Sequence, residues 1–362
     1  MEIRPTHGAR SAMIRIGADC VFYCGALGLL GPRGANRETA SPMPFSVLIY
    51  HRVNSQGDAF FPSLSVSAFE AQMRYLARQF RVLPLREILR RVRAGKAVEP
   101  WTVAITFDDG YRDNFLYAHP ILKKYGLRAS LFVPTSYIDS GRLLWNDRLA
   151  WALKHTERKE VGLSDVSAKI LLPLRSNAEK QRSFLRLVTF LKARPDEHKE
   201  AALESLVKEL GCGSRTPGAL MLNWKELREM AEQGWEIGSH TVNHSILTRV
   251  PLSLARHEVC ASKAIIEEQL QQPAALIAYP NGKGEDFNAE VKALVREAGY
   301  EGAVTTVDGF NGWPLDPLEL KRRNPWEEHL PSFATKMKWS YWKAMNSAHS
   351  PPGMGRFLGE ES

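Results

Sequence analysis

Hydrophobic and polar residues alternate with two different periods along residues 45–306, and this pattern predicts a regular succession of strands and helices. Short apolar runs of strand length occur at 45–50, 101–107, 129–134, 235–239, 274–279 and 301–306. Segments with helical spacing lie between them at 65–80, 85–95, 113–125, 223–233, 252–271 and 286–298, with Ser67 as the expected cap of the first. This alternation is typical of an α/β fold, in which helices surround a parallel sheet or barrel.

Two regions break the alternation. Residues 140–220 are rich in Lys, Glu, Leu and Arg, and their mostly helical pattern predicts a helical insertion within one domain that spans residues 45–325. Residues 326–362 are aromatic and irregular in pattern, and we predict a C-terminal tail without regular structure.

The first 44 residues lie outside the predicted domain. Residues 20–31 form an uncharged run after three arginines, as in a signal peptide, but Asp19 interrupts the pattern and no convincing cleavage site follows. The run is also shorter than the ~20 residues that span a bilayer. We therefore expect an amphipathic segment at 11–31 that lies on a membrane surface or packs on the domain, followed by a linker. A cytoplasmic or membrane-peripheral location is favoured, with an extracytoplasmic one as the alternative.

Composition narrows the class of protein. With 44% hydrophobic and 24% charged residues among 362, the chain has the balance of a globular protein and not of a disordered one. The net charge of +8 is dispersed and no nucleic-acid-binding motif accompanies it, so we expect no nucleic-acid partner. Four cysteines, at 20, 24, 212 and 260, are too few for a disulfide framework, and reduced thiols are expected.

A pair of carboxylates follows the predicted strand at 101–107. Asp108 and Asp109 end the run WTVAITFDD, at the edge where the functional groups of a parallel barrel collect. Successive strand residues point to opposite sides, but Gly110 permits a sharp turn that would bring both carboxylates to one cleft. Two carboxylates this close repel each other, and a bound cation is the simplest way to keep both ionised. A purely structural turn is the alternative interpretation of D-D-G alone.

Two histidines follow another predicted strand. In WEIGSHTVNH, His240 and His244 are four residues apart, a spacing that would place both imidazoles on one side of a helical turn. On its own, such a pair is as often two ordinary surface or core histidines as a metal-binding pair. Together with the carboxylate pair it predicts a divalent-metal site of two histidines and one carboxylate, which leaves open coordination positions as catalytic sites do.

The segments TFDDG and SHTVNH resemble the motifs of the polysaccharide deacetylase family, carbohydrate esterase family 4. The resemblance covers residues 45–139 and 220–325. It implies a distorted (β/α) barrel that removes N- or O-acetyl groups from sugars with the help of a divalent metal. It also implies Asp108 as the general base and three metal ligands, namely Asp109, His240 and His244. Zn²⁺ is the favoured ion, with Co²⁺, Ni²⁺ or Fe²⁺ as alternatives for the same ligands.

A third family motif, R-P-P-Y-G, corresponds to AYPNG at residues 278–282. Pro280 and Gly282 match, and the backbone N–H of Asn281 can act as the oxyanion donor because every residue except Pro has that group. Ala278 stands where the family has the arginine that orients the base. The candidate substitutes are Arg322 and Arg323, although a solvated basic turn is the favoured interpretation of both.

The general acid departs from the most common family pattern, because no segment after residue 306 supplies a convincing histidine. His51 follows the first predicted strand in LIYHRV, which resembles the circularly permuted branch that deacetylates poly-N-acetylglucosamine. The resemblance implies that His51 protonates the leaving sugar nitrogen while Asp108 deprotonates the attacking water. A histidine satisfied within a loop is the alternative.

The combined motifs predict a metal-dependent hydrolase that removes acetyl groups from N-acetylated sugars of a surface or exported polysaccharide or its precursor. Two alternatives stay open: an O-acetyl esterase acting on a glycan, and an inactive glycan-binding or assembly protein, which the missing arginine suggests. Tyr111 is a candidate for substrate contact, as are Trp145, Trp313 and Trp326, because aromatic rings stack on sugars. Packing within the domain is the alternative for each.

Overall fold

The computed structural model describes residues 15, 17–19, 21–22, 43–58, 60–61, 63–165, 168–212 and 220–348. The predictions for Cys20 and Cys24, and for most of the N-terminal segment and linker, lie outside the described residues. Membrane contact by that segment therefore stays a prediction. Among the helices that are described, none combines the length and apolarity that crossing a membrane requires.

The described strands belong to one large parallel sheet and one small antiparallel sheet. They are β1 (Ser46–Tyr50), β2 (Arg81–Val82), β3 (Thr102–Phe107), β4 (Ser130–Val133), β5 (Glu160–Asp165), β6 (Ala168–Pro173), β7 (Glu236–Ser239), β8 (Leu276–Ala278) and β9 (Gly302–Val304). The parallel sheet has the order β1–β3–β4–β7–β8–β9, with β2 paired to β3, and β5 pairs with β6.

The described α-helices lie mostly between the strands of the parallel sheet, and the last one follows β9. They are α1 (Val66–Gln79), α2 (Leu85–Arg93), α3 (His119–Lys124), α4 (Trp145–His155), α5 (Asn177–Lys192), α6 (Asp196–Glu209), α7 (Trp224–Glu232), α8 (Leu252–Leu270), α9 (Ala289–Glu297) and α10 (Leu330–Ala348). The strands and helices predicted within 45–134 and 223–306 are present, with ends that differ by a few residues, but the first half of the helix predicted over 113–125 is the π-helical segment Asn114–Ala118. The expected cap is wrong: Ser65, and not Ser67, caps α1 by accepting the N–H of Ala68 at 3.2 Å.

A short segment after β9 bridges the gap between the two edge strands. The N–H of Leu320 donates to Ala303 O in β9 at 2.9 Å, and the N–H of Arg323 donates to Val47 O in β1 at 2.7 Å. Arg322 lies between these two contacts. The sheet therefore curls round with helices outside it, which confirms the predicted distorted (β/α) barrel.

The inside of the barrel is apolar at one end and polar at the other. One buried cluster comprises strand residues Val47, Ala104, Phe132, Leu276, Ala278 and Val304 together with Leu85, Ile88 and Leu89 of α2. Arg86 of α2 contacts Glu236 and Glu301, at the amino ends of β7 and β9. Helix α2 therefore closes the amino end of the barrel and leaves the carboxyl end for chemistry.

The regions outside the alternating pattern differ from the predictions. Residues 140–220 contain α4, α5 and α6 around an apolar core of their own, and also the antiparallel hairpin β5–β6, which the pattern did not predict. The predicted irregular tail contains the nineteen-residue helix α10. Phe333, Met337 and Tyr341 of α10 are buried, and their spacing of four residues forms the apolar stripe that makes this segment helical. Residues 349–362 lie outside the described part.

Candidate active site and metal centre

The three predicted metal ligands meet at the carboxyl end of the barrel. The Nε2 atoms of His240 and His244 are 3.2 Å apart, and Oδ1 of Asp109 is 3.5 Å from the first and 3.3 Å from the second. One ligand atom from each residue lies within 4.8 Å of the others. Two imidazole nitrogens and a carboxylate oxygen form the donor set of catalytic Zn²⁺ and related ions.

The hydrogen bonds of the imidazoles orient them towards this point. His240 donates its Nδ1–H to the carbonyl of Ala278 at 2.8 Å, because a carbonyl only accepts, and Nε2 therefore faces Asp109 and His244. Burial opposes a positive charge on His240, but the hydrogen bond to Asp109 and the nearby carboxylates outweigh burial and raise its pKa. Burial lowers the pKa of His244, which favours its neutral form.

The pKa of Asp109 bears on whether these three residues can hold a cation. Burial alone would raise its pKa, but the hydrogen bonds to the two imidazoles hold the pKa of Asp109 well below its ordinary value. The Nε2 atoms of both imidazoles and the carboxylate oxygen of Asp109 all face one point. A divalent ion would satisfy all three ligand atoms at once, so the residues fit the metal that the sequence predicted.

The backbone turns sharply at four residues in or near the proposed site. Asp109, Thr241, His244 and Asn281 have φ angles of +75°, +68°, +58° and +61°, in the left-handed region that non-glycine residues avoid. The expected helical turn between the two histidines is wrong, because residues 240–246 form a loop. The turn that redirects the second carboxylate begins at Asp109 itself and continues through Gly110. Such backbone conformations cost about 1–3 kcal/mol each and cluster at functional sites.

A buried glutamate holds the histidine loop. Glu258 of α8 is 1% exposed, and its carboxylate accepts the backbone N–H groups of Val242 and Asn243, both at 2.8 Å, and the Asn243 side-chain amide at 2.7 Å. Charge-assisted bonds of this kind are stronger than neutral ones. Sequence reasoning missed this residue, because a glutamate within a helical pattern looks like part of a solvated face.

Asp108 lies inside the barrel and is paired with Arg322. The alternation along β3 points Ala104, Thr106 and Asp108 inward. Arg322 Nη1 and Nη2 donate to the two oxygens of Asp108 at 2.7 and 2.6 Å. Burial alone would raise the pKa of Asp108, but the charge and hydrogen bonds of Arg322 outweigh burial and lower it.

The solvated basic turn is therefore the wrong interpretation of Arg322. This side chain is 1% exposed and also donates to Thr305 O at 2.7 Å. Arg322 supplies the guanidinium that is missing at position 278, and it does so from the segment that bridges β9 and β1. Arg323 points elsewhere, to the exposed Asp308 at 3.7 Å.

His51 follows β1 at the same rim. Its Nδ1 is buried and has no hydrogen-bond partner among the described residues, and its ring centre is 6.2 Å from that of Trp326. Burial lowers the pKa of His51, while the charges of Asp109 and Asp108 act to raise it. An unpaired imidazole nitrogen close to both carboxylates is available for proton transfer.

Asn281 presents its backbone to the cleft and has a clamped side chain. Oδ1 accepts from Lys192 Nζ at 2.5 Å, and Nδ2 donates to Asp286. Among the described residues, the N–H of Asn281 has no hydrogen-bond acceptor. Gly282 is required next in the chain, because a Cβ there would lie 2.9 Å from Tyr279 O. Pro280 is buried and precedes this turn.

The aromatic candidates for substrate contact have different surroundings. Tyr111 is 2% exposed, its ring lies under Arg52, and its hydroxyl donates to Asp147 at 3.0 Å, which leaves little ring surface for a sugar. Trp145 is buried, whereas Trp313 is exposed. Trp326 is partly buried beside His51 and is the candidate whose ring contacts a predicted catalytic residue.

Comparison with known proteins places this geometry in a family. The family model for polysaccharide deacetylases matches residues 95–303. "Putative polysaccharide deacetylase YxkH" of Bacillus subtilis (strain 168) is 24% identical over 273 residues, which cover 75% of this chain and 68% of that protein.

Two solved structures share the fold. The Streptococcus pyogenes deacetylase PplD, in complex with acetate, is 21% identical, with 78% of this chain and 93% of that chain covered and a TM-score of 0.53. IcaB from Ammonifex degensii is 18% identical, with 82% and 98% covered and the same TM-score of 0.53.

The matched range is more than half of the chain and contains the predicted metal ligands Asp109, His240 and His244 and the predicted base Asp108. His51 and Arg322 lie outside it, on either side. The match confirms both the predicted resemblance and the predicted class of enzyme, a deacetylase hydrolase. This chain belongs to the polysaccharide deacetylase family.

Proposed function

We propose that this deacetylase depends on one divalent metal ion, with Zn²⁺ favoured, and that it acts on N-acetylated sugars of a surface or exported polysaccharide or its precursor. The observation that carries the proposal is the convergence of three ligand atoms within 4.8 Å, beside a buried aspartate held by an arginine. A structural role alone would not require a buried carboxylate and two imidazoles to face one another.

Each group of the site has a place in the hydrolysis of an amide. Asp109, His240 and His244 would hold the ion, which would supply positive charge that acidifies water and stabilises negative charge on the acetyl oxygen. Asp108, kept ionised and oriented by Arg322, accepts the proton of the attacking water. The N–H of Asn281 donates to the acetyl oxygen as negative charge develops there.

The second half of the reaction needs a proton donor. His51 gives a proton to the sugar nitrogen as the C–N bond breaks, because an amine leaves poorly without one. Acetate and a free amino sugar are the products. Burial lowers the pKa of His51, and the charges of Asp109 and Asp108 oppose this shift.

The inactive glycan-binding alternative loses its main support. It was motivated by the missing arginine at Ala278, and Arg322 supplies that group from another segment with two hydrogen bonds to Asp108. A protein that only binds glycans has no need of an ion-paired base next to a metal-ligand cluster.

The test is acetate release by protein that has been stripped with a chelator and reloaded with individual metals. N-acetylglucosamine oligomers and matched O-acetylated oligomers separate amidase from esterase activity. We expect metal-dependent release from the N-acetylated substrate, and loss of activity in Asp108→Asn and His51→Ala with unchanged metal content. Full activity of Asp108→Asn would remove the proposed base, and activity without metal would contradict the proposal.

A further inference from the structure

The helical insertion reaches the catalytic mouth through the end of α5. Lys192 is the last residue of this helix and is partly buried, and its Nζ donates to Oδ1 of Asn281 at 2.5 Å. This partner is a neutral amide. In the part of the chain that the structure describes, no carboxylate oxygen lies within ion-pair distance of Lys192. An ammonium group is therefore held beside the proposed oxyanion donor without a counter-ion.

The charges of two further cations act on Lys192. Burial lowers the pKa of its ammonium, the charges of Lys283 and Arg249 lower it further, and Asp286 and Asp109 act to raise it. Lys283 is exposed on the same loop as Asn281. These interactions place three positive charges around the loop of the third motif.

The carboxylate whose hydrogen bonds hold this loop is Asp286. Asp286 is fully buried, and its Oδ2 already accepts from the Asn281 side chain and from the N–H of Lys283. Its Oδ1 is 3.9 Å from Arg249, a distance for a weak ion pair. Within the described residues Lys192 therefore has no ion pair, in a partly buried position where an unpaired charge is costly.

We propose that Lys192, Lys283 and Arg249 form a subsite for an anionic group, so that the preferred substrate carries a phosphate or a carboxylate close to the acetylated sugar. The inference rests on the proposed function and names the substrate class of that same site. A neutral N-acetylglucosamine polymer leaves Lys192 without a charged partner, whereas an anion on the acetylated sugar or its neighbour pairs with Lys192 and with the nearby Lys283 and Arg249.

The experiment compares kcat/KM for three matched N-acetylated oligosaccharides: a neutral one, one with a phosphate monoester, and one with a uronate neighbour. We expect the wild-type protein to prefer an anionic substrate by about tenfold or more at low salt, with the preference falling as salt rises. The phosphate and uronate arms show which anion is preferred. Lys192→Gln should reduce the preference to nearly one, and Lys192→Arg should keep it.

A matched control and a second readout keep the outcomes separate. Lys208→Gln, at an exposed lysine of α6, should leave the preference unchanged. Calorimetry with the anionic oligosaccharide and metal-free protein should show binding that Lys192→Gln weakens. Equal kcat/KM on neutral and anionic substrates would overturn the subsite while supporting the deacetylase. Absence of acetate release from every substrate, with calorimetric binding intact, would instead overturn the proposed function and leave the subsite supported.

Discussion

Arg322 donates to both carboxylate oxygens of Asp108, at 2.7 and 2.6 Å, across a separation of 214 residues in the chain. The guanidinium comes from the segment that bridges β9 and β1, and not from the third motif, where Ala278 stands. Closing the barrel and orienting the proposed base therefore depend on the same few residues. This link explains how the chain tolerates Ala278.

Replacement of Arg322 by Met should destabilise the protein and inactivate it. The variant leaves the Asp108 carboxylate buried without its partner, which costs about 3–5 kcal/mol of unfolding free energy. Loss of the orientation of the base should lower kcat by about 100-fold or more. Arg323→Met is the control, because its exposed ion pair is worth less than about 1 kcal/mol. Denaturant titration and acetate release of both variants check this, and equal effects would refute the assignment.

Glu258→Gln should weaken metal binding without touching a ligand. The neutral amide is a poorer acceptor for the N–H groups of Val242 and Asn243, so the loop that carries His244 loses rigidity. Loss of such supporting contacts lowers metal affinity by about 10–100-fold. Glu268→Gln, at an exposed position of the same helix, is the control. Competition with a chromophoric chelator measures both affinities, and identical values would show that Glu258 does not position the ligand.

Gly110→Ala should disturb the turn that carries Asp109. Gly110 has φ +72°, and a Cβ there would lie 3.1 Å from Val133 Cγ1, whereas Gly126 has φ +64° and open space around it. Both variants lose about 1–2 kcal/mol from the left-handed backbone. The additional contact should make Gly110→Ala the less stable of the two and the one with weaker metal binding. Thermal unfolding and metal titration of the pair decide this, and a larger effect at Gly126 would contradict it.

The side chain of Asp147 should contribute to the unfolding free energy of the protein, and this contribution should decrease as pH rises. Burial, together with the charge of Asp109, raises the pKa of Asp147 to about 7, against the opposing charge of Arg52 and the hydrogen bond from Tyr111. A carboxyl group with a raised pKa in the folded state stabilises the fold when protonated. That contribution is complete below the pKa of the unfolded chain and is lost as pH rises from about 4 to about 7.

Asp147→Asn removes this dependence because the amide cannot ionise. The unfolding free energy of the variant minus that of the wild type should increase between pH 4 and pH 7, by up to about 4 kcal/mol, and then stay constant. Asp308→Asn, at an exposed residue, should show a change below about 0.5 kcal/mol at each pH. Urea titrations between pH 4 and pH 8 measure the difference, and a difference that does not vary with pH would contradict the assignment.

The barrel was predictable because its signals are local. Strand and helix periods, and residues such as Asn223 that cap helices, act within a few positions of the chain. Asp109, His240 and His244 were found because two motifs follow two strands of one parallel sheet. The structure brings these motifs together as the sheet topology requires.

The contacts that were missed depend on packing between distant segments. Arg322 belongs to a run of three basic residues. It is buried because it pairs with Asp108, the last residue of the row that β3 points into the barrel, and nothing in the run itself indicates this. Lys192 meets Asn281 because the insertion folds back onto the barrel, which no local period indicates. Helix α10 differs, since the spacing of Phe333, Met337 and Tyr341 was present in the sequence but was obscured by its many other aromatic residues.

The central claim is that Asp109, His240 and His244 bind one divalent ion. Equilibrium dialysis of metal-stripped protein against Zn²⁺, followed by elemental analysis, measures it directly. We expect about one ion per chain for the wild type and for Asp108→Asn, and loss of tight binding in Asp109→Ala, His240→Ala and His244→Ala. Wild-type protein that retains no zinc, or three alanine variants that retain it as tightly as the wild type, would contradict the account.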